Sequence, residues 1–235
     1  MDRNRVRQAL LAFLKEDVGR GDLTSESVFH PDDEGKADLV ARQSFLAAGA
    51  TSVAAEVFMV QNPAIRTSKG TPDGTLVRPG ETMLSVAGPV IDLLKAERVA
   101  LNLLQRLCGI ATLTRQFVEK AQGCEVRITD TRKTTPGLRM FEKFAVRIGG
   151  GYNHRFNLAD GVLIKDNHIA ACGSIREAVE RVRQKIPHTI RIEVETDTID
   201  QVEECLQCNV DIIMLDNMDI ATMARAVKLI NGRAM

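Results

Sequence analysis

The sequence predicts an α/β chain whose second half is a parallel β/α array. Four short apolar or β-branched runs follow Gly123, at residues 126–131, 161–166, 190–195 and 211–216. Helical patterns at 174–185 and 198–207 separate the last three, and each opens on a Ser or Thr able to cap a helix. Strand and helix in that alternation argue for parallel pairing. Residues 64–90 hold short strands broken by P-D-G, R-P-G-E and A-G-P, the punctuation of a small β-rich sheet.

The remaining elements follow in order. Residues 3–17 read as a helix with Val6, Leu10, Phe13 and Leu14 on one stripe, ending at Gly19. Residues 36–48 alternate enough for a strand. A short helix over 49–60 then stops at the Asn62-Pro63 turn. Residues 92–105 are strongly helical, with an apolar face broad enough for burial on more than one side. A last helix is read over 221–231.

Charge and composition exclude several classes. The chain has 235 residues, 44% of them hydrophobic, with Lys+Arg equal to Asp+Glu at 31 each. It therefore lacks the basic field of a nucleic-acid binder. No apolar run reaches membrane-spanning length, and M-D-R-N-R-V-R-Q has no signal-peptide core. An odd count of five scattered cysteines points to a reduced, cytoplasmic protein. Cys205-Leu-Gln-Cys208 has C-x-x-C spacing. It lies in an amphipathic helical pattern with no second pair, so a packing role outweighs a metal or redox one.

In parallel arrays ligands bind at the carboxyl ends of strands. Those ends carry Asp130, Arg132 and Lys133; Lys165 and Asp166; Glu193 and Glu195; and Asp216. The reading directs all four ends to one mouth. Cations concentrated in an otherwise neutral chain suit a ligand with several negative charges, such as a phosphorylated or polycarboxylate substrate.

Long motifs in a fixed order carry a resemblance. They are E-D-V-G-R-G-D-L-T near the start, A-E-R-V-A-L-N-L-L-Q-R-L-C-G-I-A-T at 96–112 and D-T-R-K-T-T-P-G-L-R at 130–139. E-K-F-A-V-R-I-G-G-G-Y-N-H-R at 142–155, L-I-K-D-N-H-I at 163–169, I-E-V-E at 192–195 and I-M-L-D-N at 213–217 complete them. Over essentially its whole length the chain resembles the quinolinate phosphoribosyltransferases, or carboxylating nicotinate-nucleotide pyrophosphorylases. The resemblance implies an N-terminal α/β sandwich domain, residues 1–110, and an open, incomplete α/β barrel, residues 111–235, without its last strands. It implies a pentosyltransferase of NAD biosynthesis. Quinolinate and phosphoribosyl pyrophosphate become nicotinate mononucleotide, pyrophosphate and carbon dioxide, with Mg2+ required.

The resemblance also implies roles. Arg132, Arg155 and Lys165 would line the quinolinate pocket with His154 beside them, since guanidinium forks match ring carboxylates. Arg98 would reach in from a neighbouring subunit of a homodimer or higher homo-oligomer; a helix ion pair with Glu97 or Asp92 is its plain alternative. Lys133 would contact phosphoribosyl pyrophosphate, against the alternative of a solvated surface lysine. Glu195 and Asp216 would lie near the ribose hydroxyls and the magnesium–pyrophosphate, as catalytic and metal-side carboxylates, with Glu193 a rival for the inward position. Gly149, Gly150 and Gly151 permit close backbone approach, or else a flexible loop.

The family pattern runs on past Met235, into strands whose loops hold the substrate's 5′-phosphate, so the sequence reads as a truncated enzyme. Rival readings are a molybdenum-transport-associated relative of the family and an inactive dicarboxylate-binding pseudoenzyme or fragment. The full cationic set argues for quinolinate. The absent phosphate loops support the pseudoenzyme.

Overall fold

The computed structural model describes residues 1–235, which pack as two compact units, Met1–His154 and Arg155–Met235. In the first unit, α1 (Arg3–Val18) is capped by Asp2, whose side chain accepts from the Arg5 N–H at 2.8 Å. It stops at Gly19, with φ of 59°. Val6, Leu10 and Leu14 form its buried stripe. Burying a side chain such as Leu10 is worth roughly 1.5–3 kcal/mol. A short α2 (Leu23–Val28) follows, capped by Asp22.

β1 (Glu34–Val40) and β2 (Phe45–Leu46) occupy the predicted 36–48 strand, which is broken between them. A π-helical turn, Ala50–Ala54, leads into α3 (Ala55–Gln61). The β-rich stretch resolves into β3 (Arg66–Ser68), β4 (Leu76–Val77) and β5 (Thr82–Pro89). One antiparallel sheet has the order β1-β5-β3, and β2 pairs with β4 in a second.

α4 (Val90–Lys120) is far longer than the 92–105 pattern predicts. At 31 residues it extends for about 46 Å. Its buried positions, from Leu93 through Ala100 and Leu107 to Ala111, face several neighbours. It packs on α1, α3, β2, β5 and α5 (Arg139–Ile148), so burial on more than one side is observed. The sequence pattern does not predict α5. It buries Phe141 and Ala145, and also Glu142 and Lys143.

The second unit contains the parallel array. β6 (Val162–Ile164), β7 (Ile192–Thr196) and β8 (Ile212–Leu215) pair in that order, all parallel. Between them come α6 (Asp166–Cys172), α7 (Ile175–Arg183) and α8 (Ile199–Gln207), with α9 (Ile220–Ile230) last. Ser174 caps α7 by accepting from the Glu177 N–H, and Thr198 with Gln201 forms a reciprocal box on α8. Central β7 buries Ile192, Val194 and Thr196 on one face and Glu193 on the other, so it is covered on both.

One expectation is corrected. The run at 126–131 forms no parallel strand: its only ladder contact is an isolated bridge between Thr129 and Tyr152. Val126 and Arg127 are exposed, and nothing pairs with them to extend a ladder. Three ordered parallel strands are present rather than four. No helix is long and apolar enough to cross a membrane.

Candidate active site

In the first unit the site is built around one carboxylate. Asp130 has a side chain only 7% exposed, and it is ion-paired with Lys143, which is wholly buried. Its Oδ1 also accepts from the His154 N–H at 2.9 Å, and Oδ2 from Asn153 Nδ2 at 2.5 Å. Lys143 Nζ makes a second bond, to the His154 carbonyl at 3.0 Å. Backbone bonds link the same two segments: Asp130 N–H to Tyr152 C=O at 3.0 Å and Tyr152 N–H to Ile128 C=O at 2.8 Å. The segment that carries adjacent Arg132 and Lys133 is thereby tied to the segment ending in His154.

Arg132 is half-buried. Its guanidinium makes no hydrogen bond or ion pair, and its Nε is buried without a partner. Lys133 is exposed, and its ammonium likewise has no partner in the chain. A buried donor left unpaired costs about 1–3 kcal/mol, which an incoming acceptor recovers. Both cations are left without an anionic partner inside the chain.

The glycine run serves packing. A Cβ on Gly149 would lie 2.5 Å from Thr114 Cβ and 2.6 Å from the Ala111 carbonyl oxygen. One on Gly151 would lie 2.8 Å from Val146 Cγ1 and 2.9 Å from Thr114 Cγ2. α5 therefore ends hard against α4. Beyond the glycines, Tyr152 makes cation–π contacts with Arg127 and Arg147, whose guanidinium carbons sit 4.9 and 4.8 Å from the ring centroid.

Arg98 is exposed on α4 and makes no hydrogen bond or ion pair within the chain. Asp92 accepts instead from Gln61 at 2.8 Å and Asn62 at 2.6 Å. Neither helix ion pair weighed for Arg98 is present, and it is bonded to none of the other predicted site residues.

In the second unit the strand ends behave as parallel-sheet logic expects. Lys165, directly after β6, donates to Glu195 Oε2 on β7 at 2.7 Å. Asp216, directly after β8, continues the ladder through its N–H to Thr196 C=O at 2.9 Å. Its Oδ2 accepts from Asn217 at 3.0 Å. Glu193 is buried two residues before Glu195 on the same strand face, and of the two acids it is Glu195 that takes the lysine. Arg155 donates to the Gly161 carbonyl at 2.9 Å.

Glu195 and Asp216 each keep one carboxylate oxygen without a protein partner. No group of three or more His, Cys, Asp or Glu is gathered. That donor set fits a magnesium ion held mainly by substrate oxygens and water, and does not fit an all-protein cage. Cys205 and Cys208 are both free and buried. Burial pushes the Cys205 thiol up to about 12 and raises that of Cys208, the reverse of a reactive pair.

Sequence reasoning misses Glu142, Lys143 and Arg106. Arg106 on α4 donates to Glu142 Oε1 at 2.6 Å and to Thr135 Oγ1 at 2.6 Å. Glu142 Oε2 accepts the Thr135 N–H at 3.3 Å. The one signal present is a Glu-Lys pair flanked by Phe141 and Phe144, where charge interrupts an apolar stripe.

Two family models cover almost the whole chain. The quinolinate phosphoribosyl transferase N-terminal domain matches residues 22–108, and the C-terminal domain matches residues 110–235. The chain belongs to the quinolinate phosphoribosyltransferase family. A probable carboxylating nicotinate-nucleotide pyrophosphorylase of Bacillus subtilis is 46% identical over 229 residues, covering 97% of this chain and 78% of the relative. One from Synechocystis is 45% identical, over 94% of this chain and 74% of its own. NadC from Streptococcus pyogenes superposes with a TM-score of 0.93 at 41% identity, over 100% of this chain and 82% of that one. The nicotinate-nucleotide pyrophosphorylase of Ehrlichia chaffeensis gives 0.91 at 42% identity, over 97% and 82%. The fold is thus the α/β fold of the quinolinate phosphoribosyltransferases, and the main reading of the sequence is favoured over both rivals.

Proposed function

We propose that the protein transfers the phosphoribosyl group of phosphoribosyl pyrophosphate to quinolinate. Decarboxylation follows, giving nicotinate mononucleotide, pyrophosphate and carbon dioxide. The observation that carries this reading is the half-buried Arg132 guanidinium beside Lys133, neither with a partner in the chain. A planar fork next to a compact ammonium suits a ring carboxylate next to a diphosphate.

In this reading Arg132, Arg155 and Lys165 serve the quinolinate carboxylates, with His154 beside them. Lys133 binds diphosphate oxygens and offsets charge as pyrophosphate departs and the ribosyl carbon becomes cationic. Orienting the ring nitrogen toward the anomeric carbon supplies the remainder. Once that nitrogen is quaternised, the 2-carboxylate leaves as carbon dioxide. The ring accepts the electron pair, and a proton from solvent replaces the lost carbon. No protein nucleophile is required. Glu195 and Asp216 act toward the ribose hydroxyls and would hold magnesium, which when bound neutralises diphosphate charge.

Arg98 is assigned to the site of a neighbouring copy in a homodimer or higher homo-oligomer. The unpartnered exposed guanidinium supports this, since it serves nothing in its own chain. Five free cysteines support a cytoplasmic location. The deciding assay is nicotinate mononucleotide formation from quinolinate, phosphoribosyl pyrophosphate and magnesium. Product from the purified chain is expected. Quinolinate binding by calorimetry with no pyrophosphate release would replace this reading with that of a pseudoenzyme.

A further inference from the structure

Helix α5 carries two adjacent buried charges of opposite sign, Glu142 at 7% exposure and Lys143 at 0%. Burying either charge alone is costly, so each needs a specific reason and a specific partner. Their partners lie at the two ends of a single loop. Lys143 grips Asp130, two residues before Arg132. Glu142 grips the Thr135 N–H, two residues after Lys133, and is itself held by Arg106.

Between these anchors the loop is braced locally. The Lys133 N–H donates to Thr131 Oγ1 at 3.0 Å, and Arg139 Nε donates to Thr134 Oγ1 at 3.0 Å. The Asp130 anchor also holds the segment ending in His154, through its N–H and through Asn153. A stretch whose two cations have no partners of their own is thus fixed from behind at both ends.

We infer that Lys143 and Glu142 are positioning residues: through Asp130 and Thr135 they hold Arg132 and Lys133 in the geometry that receives the anionic substrates. They touch no substrate themselves. The inference rests on the function proposed above. A rigid presentation lowers the ordering cost of binding, so loosening it appears first in substrate affinity.

The test is steady-state kinetics of the full chain with both substrates, beside thermal unfolding. Lys143→Met is expected to raise the quinolinate KM at least tenfold, and Lys143→Arg to recover part of that loss by restoring a cation to Asp130. Glu142→Gln is expected to raise KM for phosphoribosyl pyrophosphate severalfold. A purely structural role would instead shrink the folded, active fraction, lowering apparent kcat with both KM values unchanged; that pattern overturns the inference. If the Lys143 variants do not fold, exposed Asn153 decides. Asn153→Ala removes one donor from Asp130 and is expected to raise the quinolinate KM about threefold, while a KM within twofold of wild type overturns the inference. Wild-type protein that forms no nicotinate mononucleotide would defeat the functional reading itself. An active wild type whose variants keep their KM values defeats only this inference.

Discussion

Lys165 and Glu195 join the ends of neighbouring parallel strands through one 2.7 Å bond, with the lysine side chain 43% exposed and the glutamate 16%. Arg132, by contrast, has no such partner. Both cations are assigned to the same substrate, yet they are held in opposite ways.

That contrast separates two substitutions. Arg132→Ala removes a guanidinium whose buried Nε has no acceptor, so its stability cost should stay within about 1 kcal/mol. Lys165→Ala leaves a largely buried carboxylate without its donor and should cost about 1–3 kcal/mol. Both should lower kcat/KM for quinolinate by about 100-fold or more, roughly 2.7 kcal/mol of transition-state binding. Kinetics paired with denaturant unfolding checks this; unchanged turnover in Arg132→Ala would sink the assignment.

Arg98→Ala should unfold within about 0.5 kcal/mol of wild type, because the side chain bonds to nothing in its own chain. Activity should nevertheless be lost. Mixing inactive Arg98→Ala with inactive Arg132→Ala subunits should restore about a quarter of wild-type activity, through hybrids with one intact site. Two inactive variants that stay inactive after subunit exchange would place Arg98 in its own chain's site or outside any site.

Gly149→Ala should destabilise by roughly 1–3 kcal/mol through overpacking. Trimming Thr114 to Ala should give little relief, because the Ala111 carbonyl, 2.6 Å from the added methyl, is backbone. Gly151→Ala meets only side-chain atoms of Thr114 and Val146 within 3.0 Å, so Thr114→Ala should recover part of its loss. Equal rescue of both variants would contradict the packing described for the end of α5.

Burial lifts the Cys205 thiol to about 12 and the Cys108 thiol to about 11, from an ordinary 9.0. Both folded values lie above the unfolded one. Their stabilising contribution is therefore complete below about pH 9 and fades as pH rises through the folded values. The unfolding temperature should fall between pH 9 and 11, and less steeply in Cys205→Ala. Parallel slopes would remove the thiols from that dependence. At neutral pH exposed Cys124 should alkylate first, read by mass spectrometry of the native protein.

Much of the fold is legible in the sequence, for identifiable reasons. Val6, Leu10 and Leu14 recur at helical spacing, and Ser174 and Thr198 stand where a cap must stand, so α1, α7 and α8 follow from local rules. Lys165, Glu195 and Asp216 close apolar runs, which is how parallel strands announce their carboxyl ends. Lys143 is hidden because periodicity assigns a charged residue to solvent. Its burial is made tolerable by Asp130, thirteen positions away, and by the His154 carbonyl, neither of which a local pattern shows. The run at 126–131 misleads for the complementary reason: it has strand composition but forms a ladder bridge at Thr129 alone.

The chain has one tyrosine and no tryptophan. That tyrosine is Tyr152, in cation–π contact with Arg127 and Arg147 and directly preceding Asn153 and His154. Its near-ultraviolet emission therefore arises from a single ring beside the Asp130 anchor, with no tryptophan or second tyrosine to obscure it. The molecule carries a built-in optical probe of the Asp130 anchor that needs no label.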